Sequence, residues 1–258
     1  MARMVLRLAA QTRRGAGRMR MALIADFHGN WPAVEALEKD LKRRRVDRIY
    51  CLGDLVGKGP SSVQTCDWAR ANCDLILGGN WDYGVGGKQF ARDDRYWDAL
   101  GPERLRFLRE LPREHTLTLS GQRVRLFHGR PVMKDLLTAH SPESELRPFL
   151  INEEGEACDV IGYADAHRQA LRTLTPGLIF NCGSVGNGLG NPRVCYAILE
   201  GSESDPCAPL DVLLCSLPYD RERAIADAQD APEIPRIDTY IREVQTGLYS
   251  RQNLGGSI

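Results

Sequence analysis

Short apolar segments of this chain repeatedly run straight into an acidic, amide or imidazole residue, and that placement constrains the fold more than any other feature. Residues 21–25 end in Asp26 and His28, residues 48–52 in Gly53 and Asp54, and residues 74–77 in Gly78, Gly79 and Asn80. Farther on, residues 123–127 lead into His128, and a strand at 159–162 precedes Asp165 and His167. Between the first segments the apolar spacing becomes helical. Val34, Leu37 and Leu41 recur on one face opposite the basic cluster 42–45, with Asn30 placed to cap the helix and Pro32 in its first turn. A second helix is expected from near Pro60 and Ser61. Strands alternating with helices predict a parallel sheet with crossover helices. Ligands of such sheets bind beyond the carboxyl ends of the strands, where these polar residues would converge.

The second half reads differently. Residues 102–111 carry Leu105, Leu108 and Leu111 along one helical side, and 116–119 with 123–127 suggest a hairpin across 120–122. Further strands are expected at 178–181, 194–199 and 211–215, and two helices at 221–229 and 237–246. Segments 84–100 and 130–157 carry no readable motif. Residues 1–20 hold six arginines and no acid, and are set aside as a disordered or mis-assigned extension. The remaining 21–258 read as one domain, an α/β fold in which a two-sheet β-sandwich is flanked by helices.

Composition narrows the function. An apolar share of 43% with 26% charged residues describes a globular chain, and 34 basic against 34 acidic side chains leave no bulk field to gather nucleic acid or an anionic membrane. No apolar run approaches the roughly 18–20 residues a bilayer requires. The eight cysteines form no C-x-x-C pair and read as buried thiols of a reducing compartment, which places the chain in the cytoplasm. The strand-end residues offer oxygen and nitrogen donors without sulfur, a set suited to Mn, Fe or Zn in a two-metal site rather than to structural zinc.

Asp26-Phe27-His28-Gly29-Asn30, Gly53-Asp54-Leu55-Val56-Gly57, Gly79-Asn80-Trp81-Asp82, His128-Gly129 and Asn181-Cys182-Gly183-Ser184-Val185-Gly186 resemble the ordered blocks of the calcineurin-like metallophosphoesterases, nearest the small prokaryotic phosphodiesterase and diadenosine-tetraphosphatase-like branch. That resemblance implies a four-layer αββα fold and two divalent metal ions. Asp26, His28, Asp54 and His167 would hold one, and Asp54, Asn80, His128 and Asp165 the other, with Asp54 bridging. Asp54, Asn80 and His128 form the implied catalytic set. It further implies that a metal-bridging hydroxide attacks a phosphodiester or nucleotide phosphoanhydride. The expected partner is a small phosphorylated substrate, with nucleotides among the candidates, and the oligomeric state is not encoded in any motif.

Two departures stand out. Ala164-Asp165-Ala166-His167 replaces the usual Gly-His-x-His, so three aspartates and a hydroxide would neutralise two divalent cations; Lys58, Arg130 and Arg168 at the rim would then supply the attraction for an anionic ester. Trp81 stands where many relatives carry a proton-donating histidine, which favours substrates with good leaving groups and offers a face for a nucleobase. Plainer readings stay open: Asp26 as a helix cap, Asp54 and Asn80 as turn residues, His128 as a satisfied strand end, Asp165 as a surface carboxylate, Lys58 and Arg130 as solvated loop residues, Trp81 as packing. The functional alternatives are a non-catalytic interaction scaffold and a Ser/Thr protein phosphatase.

Overall fold

The computed structural model describes residues 18–138 and 140–250. Two five-stranded mixed sheets lie face to face. The first has the order β10-β9-β1-β2-β3, built from β1 (Met19–Ile24), β2 (Arg48–Cys51), β3 (Leu75–Ile76), β9 (Val194–Gly201) and β10 (Asp211–Leu217). The second has the order β4-β5-β6-β8-β7, built from β4 (Glu114–Leu119), β5 (Gln122–Phe127), β6 (Val160–Tyr163), β7 (Ala170–Thr173) and β8 (Leu178–Asn181). Strands β1, β2 and β3 run parallel, as do β5, β6 and β8, so each sheet has a parallel centre.

Strand β1 shows why a period-two pattern is absent from the sequence. Met21 and Leu23 point between the sheets, where they meet Leu126, Val160 and Phe180. Ala22 and Ile24 face the other way, into a core shared with the helices on the outer side of the first sheet. A strand buried on both faces reads as a continuous apolar run. Those helices are α1 (Trp31–Arg44), α2 (Ser62–Asn72), α3 (Asn80–Gly86), α4 (Asp94–Arg109), α6 (Arg221–Gln229) and α7 (Ile237–Thr246). The outer layer of the second sheet is thin. It consists of α5 (Glu143–Leu146) and a 3-10 turn at Arg147–Leu150, whose Leu146 and Leu150 pack on Phe127, Ile161 and Ile179.

Helix α1 follows its sequence signals. Asn30 Oδ1 accepts the amide of Ala33 at 3.2 Å, Pro32 occupies the first turn, and Arg45 ends the helix in a left-handed conformation. Its basic last turn complements the carbonyl end of the helix. The hairpin β4–β5 is tighter than expected, turning on Ser120 and Gly121, both at positive φ, as a two-residue type I′ connection requires.

Other expectations shift. β1 begins at Met19, so Met19 and Arg20 belong to the fold rather than to the extension, and residues 1–17 lie outside those described. The Arg20 guanidinium secures that start by donating to Glu200 and to the Arg44 carbonyl. The helix expected at 102–111 starts earlier, at Asp94, because α4 joins two helical stretches across a break at Gly101 (φ 70°, ψ 170°) that Pro102 follows. Helix α3 and strand β7 carried no pattern: α3 contains two glycines, and β7 is a four-residue edge strand. The eight cysteines are all free; Cys207 is exposed and Cys73 half-buried, so burial holds only for the other six.

Candidate metal centre

The carboxyl ends of β1, β2, β5 and β6 meet at one end of the sandwich, and each passes into a loop carrying a donor. Asp26 (φ 56°), His28 (φ 46°), Asp54 (φ 56°), Asp165 (φ 60°) and His167 (φ 56°) all adopt the left-handed region. That conformation costs an L-residue about 1–2 kcal/mol, and it occurs here at successive donor positions. Asp26-Phe27-His28 from the first sheet and Asp165-Ala166-His167 from the second are the same Asp-x-His turn, each with positive φ at both donors. The aspartate at 165 is thus the counterpart of Asp26, a correspondence between the two sheets that the sequence-level comparison with Gly-His-x-His does not reveal.

These side chains converge. His28 Nε2 lies 3.7 Å from Asp26 Oδ1 and 3.6 Å from Asp54 Oδ2. His167 Nε2 is 3.3 Å from Asp26 Oδ1. His128 Nε2 is 3.8 Å from Asp26 Oδ1, 3.3 Å from Asp54 Oδ2 and 3.9 Å from Asp165 Oδ1. Two metal-sized constellations result, Asp26 with His28 and His167, and Asp26 with Asp54 and His128. Asp26 is therefore common to both, while Asp54 Oδ2 stands between His28 and His128.

The imidazoles are aimed from behind. Each Nδ1–H donates to a backbone carbonyl: His28 to Val56 at 3.3 Å, His128 to Leu52 at 2.9 Å and His167 to Asn187 at 2.7 Å. This fixes the ring orientation and turns every Nε2 toward the centre, as in metal-ligating histidines. The Nε2 atoms of His28 and His167 consequently approach within 3.2 Å, two lone pairs that need a shared positive charge between them. Asp26 Oδ1 and Oδ2 and Asn80 Oδ1 are buried with no hydrogen-bond partner, an arrangement that is costly for a carboxylate unless a cation faces it. The donor set thus fits divalent metal ions.

Electrostatics agree. Burial opposes a charge on His128, but Asp54, Asp26 and Asp165 outweigh it and push the imidazole up to about 10. Burial, reinforced by Lys58 and the two neighbouring imidazoles, holds His28 well below its ordinary value. Asp54 is fixed by its other oxygen, Oδ1, which accepts the Trp81 amide at the start of α3 at 2.9 Å. Beneath it, the buried carboxylate of Asp82 accepts the amides of Asp54, Leu55 and Gly79 at 2.7, 2.9 and 3.0 Å. Asp82 had no expected role; its position three residues after Gly79, where a helix-capping acid sits, was the available signal.

The glycine-rich segment after β8 clamps both Asp-x-His turns. Ser184 Oγ and the Gly186 amide donate to the Asp26 carbonyl at 3.0 and 2.9 Å, Asn187 receives His167, and Asn181 donates to the Ala164 carbonyl at 2.6 Å. Asn80 heads α3 with its side chain at the centre's edge and is not in a left-handed turn.

A cavity of about 230 Å³ opens above these residues. Lys58, Trp81, Arg130 and Arg168 line it, together with Leu136, Thr138 and residues of α7 for which no role was expected. Two side chains assigned separate roles prove to be one ion pair. Arg130 grips Asp165 in a fork, Nε to Oδ2 at 2.8 Å and Nη2 to Oδ1 at 2.7 Å, with its backbone amide adding a third bond to Oδ2 at 3.0 Å. Lys58 is also engaged rather than solvated, donating to Asn187 Oδ1 at 2.7 Å and pairing with Glu243 Oε2 at 3.4 Å. Trp81 packs its ring on Gly57 and meets His28 and Tyr96 edge to face at 5.8 and 6.5 Å. His115 contacts Tyr50, and exposed His140 lies outside the centre. No helix among the described residues is long and apolar enough to cross a membrane.

Similarity to known proteins points the same way. An uncharacterized protein of Methanocaldococcus jannaschii is 34% identical over 121 residues, a match spanning 43% of this chain and about half, 49%, of that protein. The crystal structure of a metallophosphoesterase from Sphaerobacter thermophilus superposes with a TM-score of 0.67 at 23% identity, covering 89% of this chain and 99% of that one. A hypothetical protein from Pyrococcus horikoshii OT3 gives 0.69 at 19% identity, covering 88% and 97%. The model of the calcineurin-like phosphoesterase superfamily domain matches residues 19–204, a stretch that contains every donor of the centre, and the chain belongs to that family.

Proposed function

We propose that this protein is a divalent-metal-dependent phosphoesterase that hydrolyses small phosphodiesters or nucleotide phosphoanhydrides. The observation that carries this reading is the pair of constellations sharing Asp26, with His28 and His167 in one, His128 in the other, and all three Nε2 atoms turned toward the shared carboxylate. Asp26, His28 and His167 would hold one cation and Asp26, Asp54 and His128 the second, with Asp26 common to both, Asp54 Oδ2 also 3.6 Å from His28, and Asn80 and Asp165 completing the shell. Bound divalent ions, with manganese, iron or zinc suited to the donors, supply Lewis acidity and an activated water.

The residues around the centre define the rest of the chemistry. Lys58 and Arg130, both lining the cavity, would present positive charge to the phosphoryl oxygens. Three of the five histidines belong to the centre, neither His115 nor His140 is among the residues lining the cavity, and Trp81 rather than a histidine follows Asn80. Esters and anhydrides whose leaving group departs as a stable anion are therefore favoured over phosphoproteins. The completeness of the donor set argues against a metal-free scaffold.

The test is hydrolysis of bis(p-nitrophenyl) phosphate by protein whose metal content has been measured by mass spectrometry. Manganese-dependent turnover that Asp54→Asn abolishes supports the reading. Well under one metal per chain with no turnover rejects it in favour of the scaffold, and faster release from phosphopeptides than from diesters favours the phosphatase.

A further inference from the structure

We infer that Glu243, on the C-terminal helix α7, is a positioning residue that holds Lys58 for the substrate phosphate. This rests on the phosphoesterase reading, and it makes α7, which lies beyond residue 204 where the family match ends, part of the anion-binding wall.

Glu243 is only 2% exposed, yet it lines the cavity beside the centre. A buried carboxylate is strongly unfavourable unless compensated, so its presence requires a partner. That partner is Lys58 Nζ, 3.4 Å from Glu243 Oε2. Oε1 is held in turn by the hydroxyl and amide of Ser250 at 3.0 and 3.4 Å. Attraction by Lys58 and the Ser250 bonds together outweigh burial and keep the Glu243 carboxyl below its ordinary value. Lys58 itself sits at φ 56° between Gly57 and Gly59, a left-handed backbone that an L-residue adopts only under compulsion from its surroundings.

The geometry explains what the contact achieves. A lysine ammonium rides on a flexible four-carbon stem, and after Glu243 the carboxylates that attract this one are Asp26 and Asp54. Untethered, it would swing onto those carboxylates and compete with the cations they are arranged to hold. Asn187 Oδ1 at 2.7 Å and Glu243 Oε2 take two of its three N–H groups and leave the third for the cavity. Asn187 also receives His167 through its carbonyl, so one residue registers both the imidazole and the ammonium.

The test compares wild type, Glu243→Gln, Lys58→Met and the double variant, each checked for folding by circular dichroism and for metal content. Glu243→Gln keeps the shape and removes the charge. The expected result is a KM for bis(p-nitrophenyl) phosphate raised roughly tenfold with kcat within about twofold, and an equally weakened Kd for inorganic phosphate by calorimetry. Lys58→Met shows at least the same loss, and the double variant is no worse than Lys58→Met alone. Additive losses, or an unchanged KM and phosphate Kd in folded Glu243→Gln, overturn the inference. Manganese-loaded wild type without turnover counts against the phosphoesterase reading alone, because the phosphate Kd ratio still decides the role of Glu243. Wild type that neither turns over the diester nor binds phosphate overturns both, and wild type that turns it over without binding phosphate leaves the KM comparison to decide the role of Glu243.

Discussion

Neither carboxylate oxygen of Asp26 has a hydrogen-bond partner, three imidazole Nε2 atoms lie within 3.8 Å of its Oδ1, and its replacement removes a donor common to both constellations. Asp26→Asn is expected to lower bound metal below one ion per chain while the fold persists, as measured by mass spectrometry and circular dichroism. Arg130→Ala should act differently, because its guanidinium holds Asp165 by a fork rather than standing free. We expect both a higher KM for a phosphodiester and a weakened second metal site, seen as a raised manganese requirement in a titration. The five side chains that the structure brings into metal-sized groups, Asp26, His28, Asp54, His128 and His167, were legible, since each follows an apolar run. Their partners were not. Asp82 offered only its spacing from Gly79, while Asn187 and Glu243 act from a loop and a helix distant in sequence, and no local spacing announces a contact made across 185 positions, as that of Lys58 with Glu243 is.

At the scale of elements, α3 is short but decisive, because its first turn supplies the amide that fixes Asp54. A Cβ at Gly79 would fall 2.1 Å from Asp54 Oδ1 and 2.8 Å from its backbone nitrogen. Gly79→Ala is therefore expected to cost about 1–3 kcal/mol by overpacking and to abolish manganese-dependent turnover, read from urea unfolding and from the diester assay. Helix α1 depends on a different contact. Buried Asp40 accepts the Tyr196 hydroxyl of β9 at 2.6 Å and Arg44 at 2.8 Å, and also binds Arg43. Burial pushes its carboxyl up, but these hydrogen bonds prevail and hold it below the usual range. A lowered folded-state value means a contribution complete above the unfolded pKa of about 4 and lost as pH falls through the folded value. Asp40→Asn should thus destabilise by roughly 2 kcal/mol near pH 7, with the deficit shrinking on acidification, as denaturant midpoints at several pH values would show. The caps and turns of α1 were readable because Asn30 and Pro32 act locally. Helix α3 and strand β7 were not, because neighbours impose them on glycine-containing or alternating polar sequence.

The whole molecule joins two sheets through one layer of apolar side chains and one cluster of donors at their ends. Ligands that bind only the folded state stabilise it by mass action, about 4 kcal/mol at a thousandfold excess over Kd. Manganese should therefore raise the midpoint of thermal unfolding by on the order of 10 °C, a shift that chelator reverses and Asp26→Asn eliminates in a scanning fluorimetry experiment. The sandwich was legible in the sequence because strands buried on both faces read as apolar runs, whereas the thin outer layer of the second sheet arises from residues 130–157, where no periodicity exists. Asp26 and Asp165 open matching turns on opposite sheets. Neither sheet alone would own a full set, the first ending in Asp26, His28, Asp54 and Asn80 and the second in His128, Asp165 and His167, so cobalt added during refolding should develop its visible absorption only when the two dock, making colour a clock for the closing step of assembly.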